Sequence, residues 1–211
     1  MTSTKDQELW LVIPTAGRHQ YLSEIFRNSG IDESRRVLVR TSPGVDFPDC
    51  VNIRFEGNLN IQAWWNLGIN YAMGHGARYI AVLNDDVVLQ PKTLQLMLSQ
   101  MIVDSSSLAI PVTEGEAGWG HCWILDSSHG VMPDERFIWW CGDHDLEIQA
   151  RKTGGVTYFP IEVLNIHANQ LTEMSESFVN IVKRDMWRFR FKHPKLAIRE
   201  ALKFIVNGLS H

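Results

Sequence analysis

Short apolar runs alternate with amphipathic stretches along the first half of the chain. The runs are rich in Val, Ile and Leu, as the buried strands of a parallel sheet are. They cover residues 9–13, 36–40, 79–83 and 108–112, and a shorter alternating segment covers 51–55. The stretches with apolar side chains at helical spacing cover residues 21–28, 58–74 and 91–101. This order of strands and helices predicts an α/β fold with a mainly parallel sheet.

The second half of the chain carries shorter elements and a basic C-terminal region. Strands are predicted at residues 121–125, 156–159 and 163–167. Helices are predicted at residues 145–153, from residue 176 onward, and at 195–206. The helix from residue 176 interleaves lysine and arginine with aromatic side chains. This pattern is consistent with a solvated face or an oligomer contact, and next with binding to an anionic membrane. Contact with nucleic acid or with a diphosphate group also stays open.

Polar residues end the apolar run at 79–83. Asn84, Asp85 and Asp86 follow it directly. Carboxylates are costly to bury unless they are paired or bind a metal, and open α/β sheets bind ligands at the carboxyl ends of their strands. Hard oxygen ligands of this kind suit Mg²⁺ or Mn²⁺. The same residues also fit an ordinary turn, so their pattern alone leaves both interpretations open.

Composition narrows the class of protein. The chain has 211 residues, of which 45% are hydrophobic, so it can bury a core of its own. Its net charge of −4 gives no overall attraction to nucleic acid. Cys50, Cys122 and Cys141 form no CxxC pair, which favours free thiols in a reducing compartment. Residues 1–8 show no secretion signal and no run is long enough to span a bilayer, so we expect a cytoplasmic protein.

Several motifs occur in the order and spacing of one enzyme family. They are Pro14-Thr15-Ala16-Gly17-Arg18, Asn58–Ile69, Asn84-Asp85-Asp86, Asp134-Glu135-Arg136-Phe137, Gly142-Asp143-His144-Asp145-Leu146, and Pro160 with His167. By these motifs the chain resembles the inverting family-two glycosyltransferases of GT-A fold. The resemblance implies a Rossmann-like nucleotide-binding sandwich with a mainly parallel central sheet and C-terminal helices. It implies a GT-A domain at 1–170, with a nucleotide-sugar half at 1–90 and an acceptor half at 91–170, and a basic helical extension at 171–211.

The resemblance also implies roles for individual residues. Asp143 would be the general base that takes the proton of the acceptor hydroxyl; its alternative role is to cap a helix. Asp86 and His167 would hold Mn²⁺ or Mg²⁺ on the diphosphate. Nucleotide-sugar contacts would come from Pro14, Thr15, Ala16, Arg18, Thr41, Asn66, Asn84 and Asp85. Acceptor contacts would come from Trp119, His121, Trp140 and Asp145, the last having a structural role as its alternative.

The chain departs from the family pattern at four places. The second strand ends in Arg40, Thr41 and Ser42 where the family has an acidic residue, and Asn84 replaces the first Asp of Asp-x-Asp. Gly142 replaces a Glu, and the family's glycine-rich turn before the metal strand is occupied by Asn60, Trp64 and Trp65. The donor, a UDP-, GDP- or dTDP-sugar, therefore stays open.

A glycan or glycolipid acceptor is expected, and peripheral contact with the inner face of a membrane is consistent with the basic helix. Two alternatives remain for the function. One is transfer to modified DNA bases, and the other is a non-catalytic module that binds nucleotide-sugars or glycans. The sequence indicates no oligomeric state.

Overall fold

The structure is a computed structural model. It describes residues 9–17, 19–42, 46–113, 116–117, 120–161, 163–165 and 176–196. Three of the predicted site residues, Arg18, Trp119 and His167, lie outside these described residues.

The first half of the chain alternates strands with helices, as predicted. Its elements are β1 (Leu9–Thr15), α1 (Leu22–Ser29), β2 (Arg36–Arg40), β3 (Val51–Arg54), α2 (Ile61–Gly74) and β4 (Tyr79–Leu83). The strands lie in the order β3-β2-β1-β4, and each neighbouring pair is parallel. Parallel pairing brings the carboxyl ends of these strands to one edge of the sheet.

The second half completes the sheet in a mixed arrangement. Its elements are β5 (Val87–Val88), α3 (Thr93–Asp104), β6 (Leu108–Thr113), β7 (Glu116–Ala117), β8 (Cys122–Asp126), α4 (Gly142–Thr153), β9 (Val156–Phe159), β10 (Leu164–Asn165) and α5 (Glu176–Lys192). β8 lies antiparallel between β4 and β6, β9 pairs parallel to β6, and β10 pairs antiparallel to β5 outside the main sheet. The predicted α/β fold with a mainly parallel sheet is confirmed.

Each face of the sheet carries its own hydrophobic core. Along β1, the side chains of Leu9, Leu11 and Ile13 belong to one core, and those of Trp10 and Val12 belong to the other. This alternation follows from the two-residue period of a strand whose faces are both covered. Helices α1 and α3 cover the first face, while α2 and α4 cover the second.

Tight packing of α2 against the sheet depends on a small residue. A Cβ atom added at Gly68 would overlap the side chain of Val12 on β1. The absence of a side chain at this position lets the helix backbone approach the strand closely. Trp64 and Trp65 of the same helix are buried in the core, as expected by default for tryptophan.

Two helix starts differ from the sequence prediction. Helix α2 begins at Ile61 rather than residue 58, because the side chain of Asn60 accepts the N–H of Ala63 as an N-cap. Helix α4 begins at Gly142 rather than residue 145, after Cys141 in a left-handed conformation. The Asp143 carboxylate therefore lies inside the first helical turn, and the N-cap position, which was the alternative role for Asp143, belongs to Cys141.

The basic helix predicted from residue 176 is α5, which runs to Lys192. Most of the final predicted helix, residues 197–206, lies outside the described part of the chain. Within the described part, no helix has the length and apolar character that crossing a membrane requires. The three cysteines are free thiols.

Candidate functional site

The carboxyl ends of β1, β2 and β4 form one polar cluster. The Thr15 hydroxyl donates a 2.6 Å hydrogen bond to Oδ2 of Asp85, and the Gly17 N–H donates to the Thr15 hydroxyl at 3.1 Å. The N–H and the hydroxyl of Thr41 both donate to the Thr15 carbonyl, at 3.0 and 3.2 Å. The strand register explains the meeting, because Val12 pairs with Val82, and three residues further along each strand lie Thr15 and Asp85. Three predicted nucleotide-sugar contacts are therefore adjacent.

The turn after β1 approaches β2 through a residue without a side chain. Gly17 has a φ of +111°, a conformation that residues with a Cβ rarely adopt. A Cβ at this position would lie 3.2 Å from the hydroxyl oxygen of Ser42. Pro14 lies within β1, and the turn that follows it, with Ala16 and Gly17, lies close to the loop after β2.

The second strand ends in a buried arginine. Arg40 forms an ion pair with Asp46, whose side chain is largely exposed. The strand end therefore carries a buried cation, which is paired with Asp46 six residues further along the chain, where the family pattern has an acidic residue.

Asp86 lies where the sequence placed it, directly after β4 and before β5. Its residue is only 6% exposed. The neighbouring Val87 pairs with Asn165 of β10, so the segment that precedes His167 in the chain runs beside this turn.

His121 connects the Asn84 turn to the same segment. Its backbone carbonyl accepts the N–H of Asn84 at 2.9 Å. Its ring nitrogen Nε2 lies 2.8 Å from the carbonyl oxygen of Val163, just before β10. His121 therefore lies between the Asn84 turn and the segment that contains Val163.

Asp143 stands at the start of α4 with its carboxylate partly exposed. Its Oδ1 accepts the His144 N–H at 2.9 Å and lies 3.1 Å from Nδ1 of the His144 ring. The hydrogen bond from this carboxylate raises the pKa of His144. A Cβ on Gly120 would lie 3.2 Å from Oδ2 of Asp143, so the loop before His121 passes against this oxygen. Burial raises the pKa of the preceding Cys141 thiol to about 12, which keeps that thiol protonated and excludes it as a nucleophile at neutral pH.

Asp145 is completely buried and is held from three sides. His193 Nε2 lies 2.7 Å from Oδ1, while Lys192 Nζ and Gln149 Nε2 lie 2.9 and 2.7 Å from Oδ2. A carboxylate enclosed in this way does not face an acceptor. These contacts support the structural role, which was the alternative that the sequence left open. Trp140, by contrast, is exposed.

Asn66 also binds the protein rather than facing a cleft. Its side-chain amide donates to the carbonyl of Pro133 and to Oε1 of Glu135, both at 2.9 Å, and the residue is buried. The amide therefore fastens α2 to the loop of the acceptor half. Its contact with the nucleotide-sugar stays a prediction.

Asp185 is a functional neighbour that the sequence reasoning missed. It is fully buried in α5, and its Oδ2 accepts the backbone N–H groups of Ile138, Trp139 and Trp140 at 2.9, 2.8 and 3.0 Å. It thereby fixes the segment that leads into α4 and Asp143. One signal could have revealed it, since it is the single acidic residue in the otherwise basic stretch 177–196.

Comparisons with known proteins identify the family. The sequence model described as "Glycosyl transferase family 2" matches residues 25–152. No curated protein sequence matches the chain.

Among solved structures, S. aureus TarS is similar with a TM-score of 0.58 and 9% identity, over 87% of this chain and 72% of that chain. S. aureus TarS in complex with UDP-GlcNAc gives a TM-score of 0.60 at 10% identity, over 82% of this chain and 64% of that chain. Glucosyl-3-phosphoglycerate synthase from Mycobacterium tuberculosis, in complex with Mn²⁺, UDP and phosphoglyceric acid, gives 0.62 at 8% identity, over 83% and 77%. Identities this low show a shared fold, whereas the family model matches more than half of the chain, and the chain therefore belongs to glycosyl transferase family 2.

Proposed function

We propose that this protein is a metal-dependent, inverting glycosyltransferase that moves a sugar from a nucleotide-sugar donor to a hydroxyl group of an acceptor. One observation carries the proposal. The loop at Gly120 and His121 touches both halves of the site, because Gly120 lies against the Asp143 carboxylate and the His121 carbonyl binds the Asn84 N–H. A candidate base and a candidate diphosphate site therefore border the same short loop.

The donor side offers hard oxygen ligands and backbone groups. Asp86 is a buried carboxylate at the carboxyl end of β4, which is the donor chemistry that Mg²⁺ and Mn²⁺ prefer. No group of three or more His, Cys, Asp or Glu that could hold a metal occurs among the described residues, so a metal bound here needs ligands from the substrate, water or His167. Asp86 and His167 would hold it. A bound divalent cation would neutralise the charge that grows on the leaving diphosphate.

The acceptor side would use Asp143. In an inverting transfer, the acceptor hydroxyl attacks the anomeric carbon from the face opposite the leaving nucleotide, and its proton passes to a base. Asp143 is partly exposed, while its Oδ1 is held by the His144 N–H. The other oxygen, Oδ2, faces the Gly120 loop and is the atom that we assign to receive the proton.

The similar solved structures support a proposal for the identity of the donor. The similar solved structures hold UDP-GlcNAc in S. aureus TarS and UDP with Mn²⁺ in the mycobacterial synthase. We therefore favour a UDP-sugar and Mn²⁺ over GDP- and dTDP-sugars and Mg²⁺. A hydroxyl of a glycan or glycolipid is the expected acceptor.

The experiment measures binding and slow hydrolysis of nucleotide-sugars. UDP-, GDP- and dTDP-sugars are each incubated with the protein, with and without Mn²⁺, and the released nucleoside diphosphate is quantified. We expect hydrolysis of one nucleotide class that requires the metal. Asp86→Ala should abolish metal-dependent binding of that nucleoside diphosphate in calorimetry, because it removes the buried oxygen ligand.

The matched control is Asp32→Ala, which changes an exposed aspartate whose partner is Arg35. It should bind and hydrolyse like the parent. Equal affinity of Asp86→Ala and the parent, with metal present, would contradict the metal assignment. Tight binding of a nucleotide-sugar without hydrolysis or transfer to any acceptor would favour the non-catalytic module instead.

A further inference from the structure

The outward face of α5 exposes large apolar side chains. Met186, Trp187 and Phe191 are 38%, 59% and 78% exposed. The rings of Trp187 and Phe191, one helical turn apart, lie 6.1 Å from each other. Isolated exposed apolar residues need no explanation, but adjoining aromatic rings on one helix face indicate a contact surface.

Basic side chains surround these rings. Lys183, Arg184 and Arg190 are exposed on the same side of the helix, at helical spacing from Trp187 and Phe191. The Arg190 guanidinium lies 5.7 Å from the centre of the Trp187 ring. The one acidic residue of stretch 177–196 is Asp185, which is fully buried on the opposite side. The face is therefore positively charged in a chain whose net charge is −4.

The opposite face of α5 is fixed to the acceptor half of the domain. Asp185 binds the backbone of residues 138–140, and Phe189 packs at 6.2 Å from the His144 ring. The outward face is thus presented rigidly, on the far side of the helix from Asp143. A partner bound to this face would meet the protein next to the acceptor side of the site.

We propose that the outward face of α5, formed by Lys183, Arg184, Met186, Trp187, Arg190 and Phe191, docks the protein on an anionic lipid bilayer. Helices that lie in a membrane interface combine aromatic side chains, which enter the boundary between headgroups and acyl chains, with Lys and Arg, which attract anionic lipids. The 17 residues of α5 extend for about 25 Å along such a surface.

Other occupants fit the face less well. A two-fold dimer across it would oppose Lys183, Arg184 and Arg190 to the same three residues of the second copy, because symmetric interfaces pair identical patches. Single-stranded nucleic acid is bound in positively charged grooves, whereas one helix face is convex. A bilayer meets both the charge and the shape of this surface.

The test is flotation of the full chain with lipid vesicles. We expect binding to vesicles that contain 30 mol% (about one lipid in three) phosphatidylglycerol in phosphatidylcholine, and little binding to phosphatidylcholine alone. The double variant Trp187→Ala with Phe191→Ala should bind about tenfold or more weakly, because both rings lose their place in the interface. Exposed side chains can be truncated with little effect on folding. The matched control is the double variant Leu96→Ala with Val103→Ala, which truncates two exposed residues on α3. It should bind vesicles like the parent.

A second pair of variants tests the charge. Lys183→Gln with Arg184→Gln should weaken binding about fivefold for each charge removed. Arg27→Gln with Lys152→Gln removes two exposed charges from α1 and α4 and should have no such effect.

Several results would overturn the proposal: no vesicle binding by the parent, equal binding to neutral vesicles, or unchanged binding by the aromatic variant. If the parent did not bind vesicles but formed concentration-dependent dimers or bound a labelled oligonucleotide, and the aromatic variant lost that property, the face would be assigned to the other partner. The assay needs no nucleotide-sugar, so its outcome is independent of the proposed function.

Discussion

Replacing Asp185 by alanine should strongly destabilise the protein. The Oδ2 atom accepts three backbone N–H groups, at 2.8–3.0 Å, and the side chain is completely buried. A hydrogen bond to a charged group contributes about 1.5–3 kcal/mol, so complete loss of three would cost roughly 4–9 kcal/mol. Two effects reduce this cost: the variant no longer buries a charge, and water can reach the N–H of the exposed Trp140. We expect about 3–5 kcal/mol, since each buried N–H group left without an acceptor costs roughly 1–3 kcal/mol.

The assay is urea unfolding at neutral pH. Asp185→Ala should lower the midpoint without a change in slope, since the mutation removes contacts and not buried area. Asp185→Asn keeps one oxygen that can accept the N–H groups but loses the charge, so its cost should lie between those of the parent and the alanine variant. Asp32→Ala provides the control, because its ion pair with Arg35 is exposed on the aspartate side and such pairs contribute about 1 kcal/mol or less.

The result that would refute this reasoning is a small effect. If Asp185→Ala cost no more than Asp32→Ala, the three N–H groups would be satisfied equally well by water, and Asp185 would not hold the 138–140 segment. If a destabilised variant still transferred sugar at the parental rate, measured at urea concentrations well below its unfolding midpoint, that result would separate the role of Asp185 in stability from its role in positioning α4. The segment would then matter for stability and not for positioning α4.

Three further predictions concern the start of α4. Asp143→Asn should leave donor binding intact and lower transfer by roughly 10²–10⁴-fold, the usual contribution of a positioned base; near-normal transfer with saturating donor and metal would remove Asp143 from the mechanism. Its amide oxygen can still accept the His144 N–H, so the helix should remain folded. His144 should titrate in NMR above its ordinary pKa, and Asp143→Asn should lower that value. Because the pKa of His144 is raised in the folded state, the stabilising contact with Asp143 is fully present below about pH 6.5 and is lost as the pH rises through the folded-state pKa. If Asp143→Asn left the pKa of His144 unchanged, the result would show that the contact does not form. Gly142→Ala should cost about 1–3 kcal/mol, because its Cβ would overlap the buried amide of Gln62; adding Gln62→Ala should recover part of that cost, and strictly additive effects would contradict the overlap.

The strands of the core could be predicted because their information is local. A strand covered on both faces has an apolar interior, and β1, β4, β6 and the three central residues of β2 have this pattern. The contact between Thr15 and Asp85 is consistent with the same pattern, since the carboxyl ends of parallel strands share an edge. The start of α2 was harder to predict, because it depends on the Asn60 cap and also on the Ile61 N–H, which donates to the carbonyl of Ile138, a partner that is distant in the sequence.

Two of the predicted site residues have hydrogen-bond partners in distant parts of the chain. Asn66 and Asp145 bind partners 69 and 48 residues away, Glu135 and His193. A polar residue near a catalytic motif has the same local pattern whether it faces a substrate or an enclosed partner. Only the packing of distant segments distinguishes the two cases, so burial was the information that the sequence lacked.

The role of α5 changes how the acceptor half is understood. The family model ends at residue 152, and the predicted division of the chain at residue 170 stays a prediction. Yet Asp134 and Asp145, on the acceptor side, are paired with Lys192 at 2.6 and 2.9 Å. Without that helix, Asp145 would be a buried carboxylate that has lost both His193 and Lys192, which is costly enough to rearrange its surroundings. Because Asp145 lies two residues after Asp143 in the same helix, the candidate base is held by groups that come after the segment by which the family is recognised.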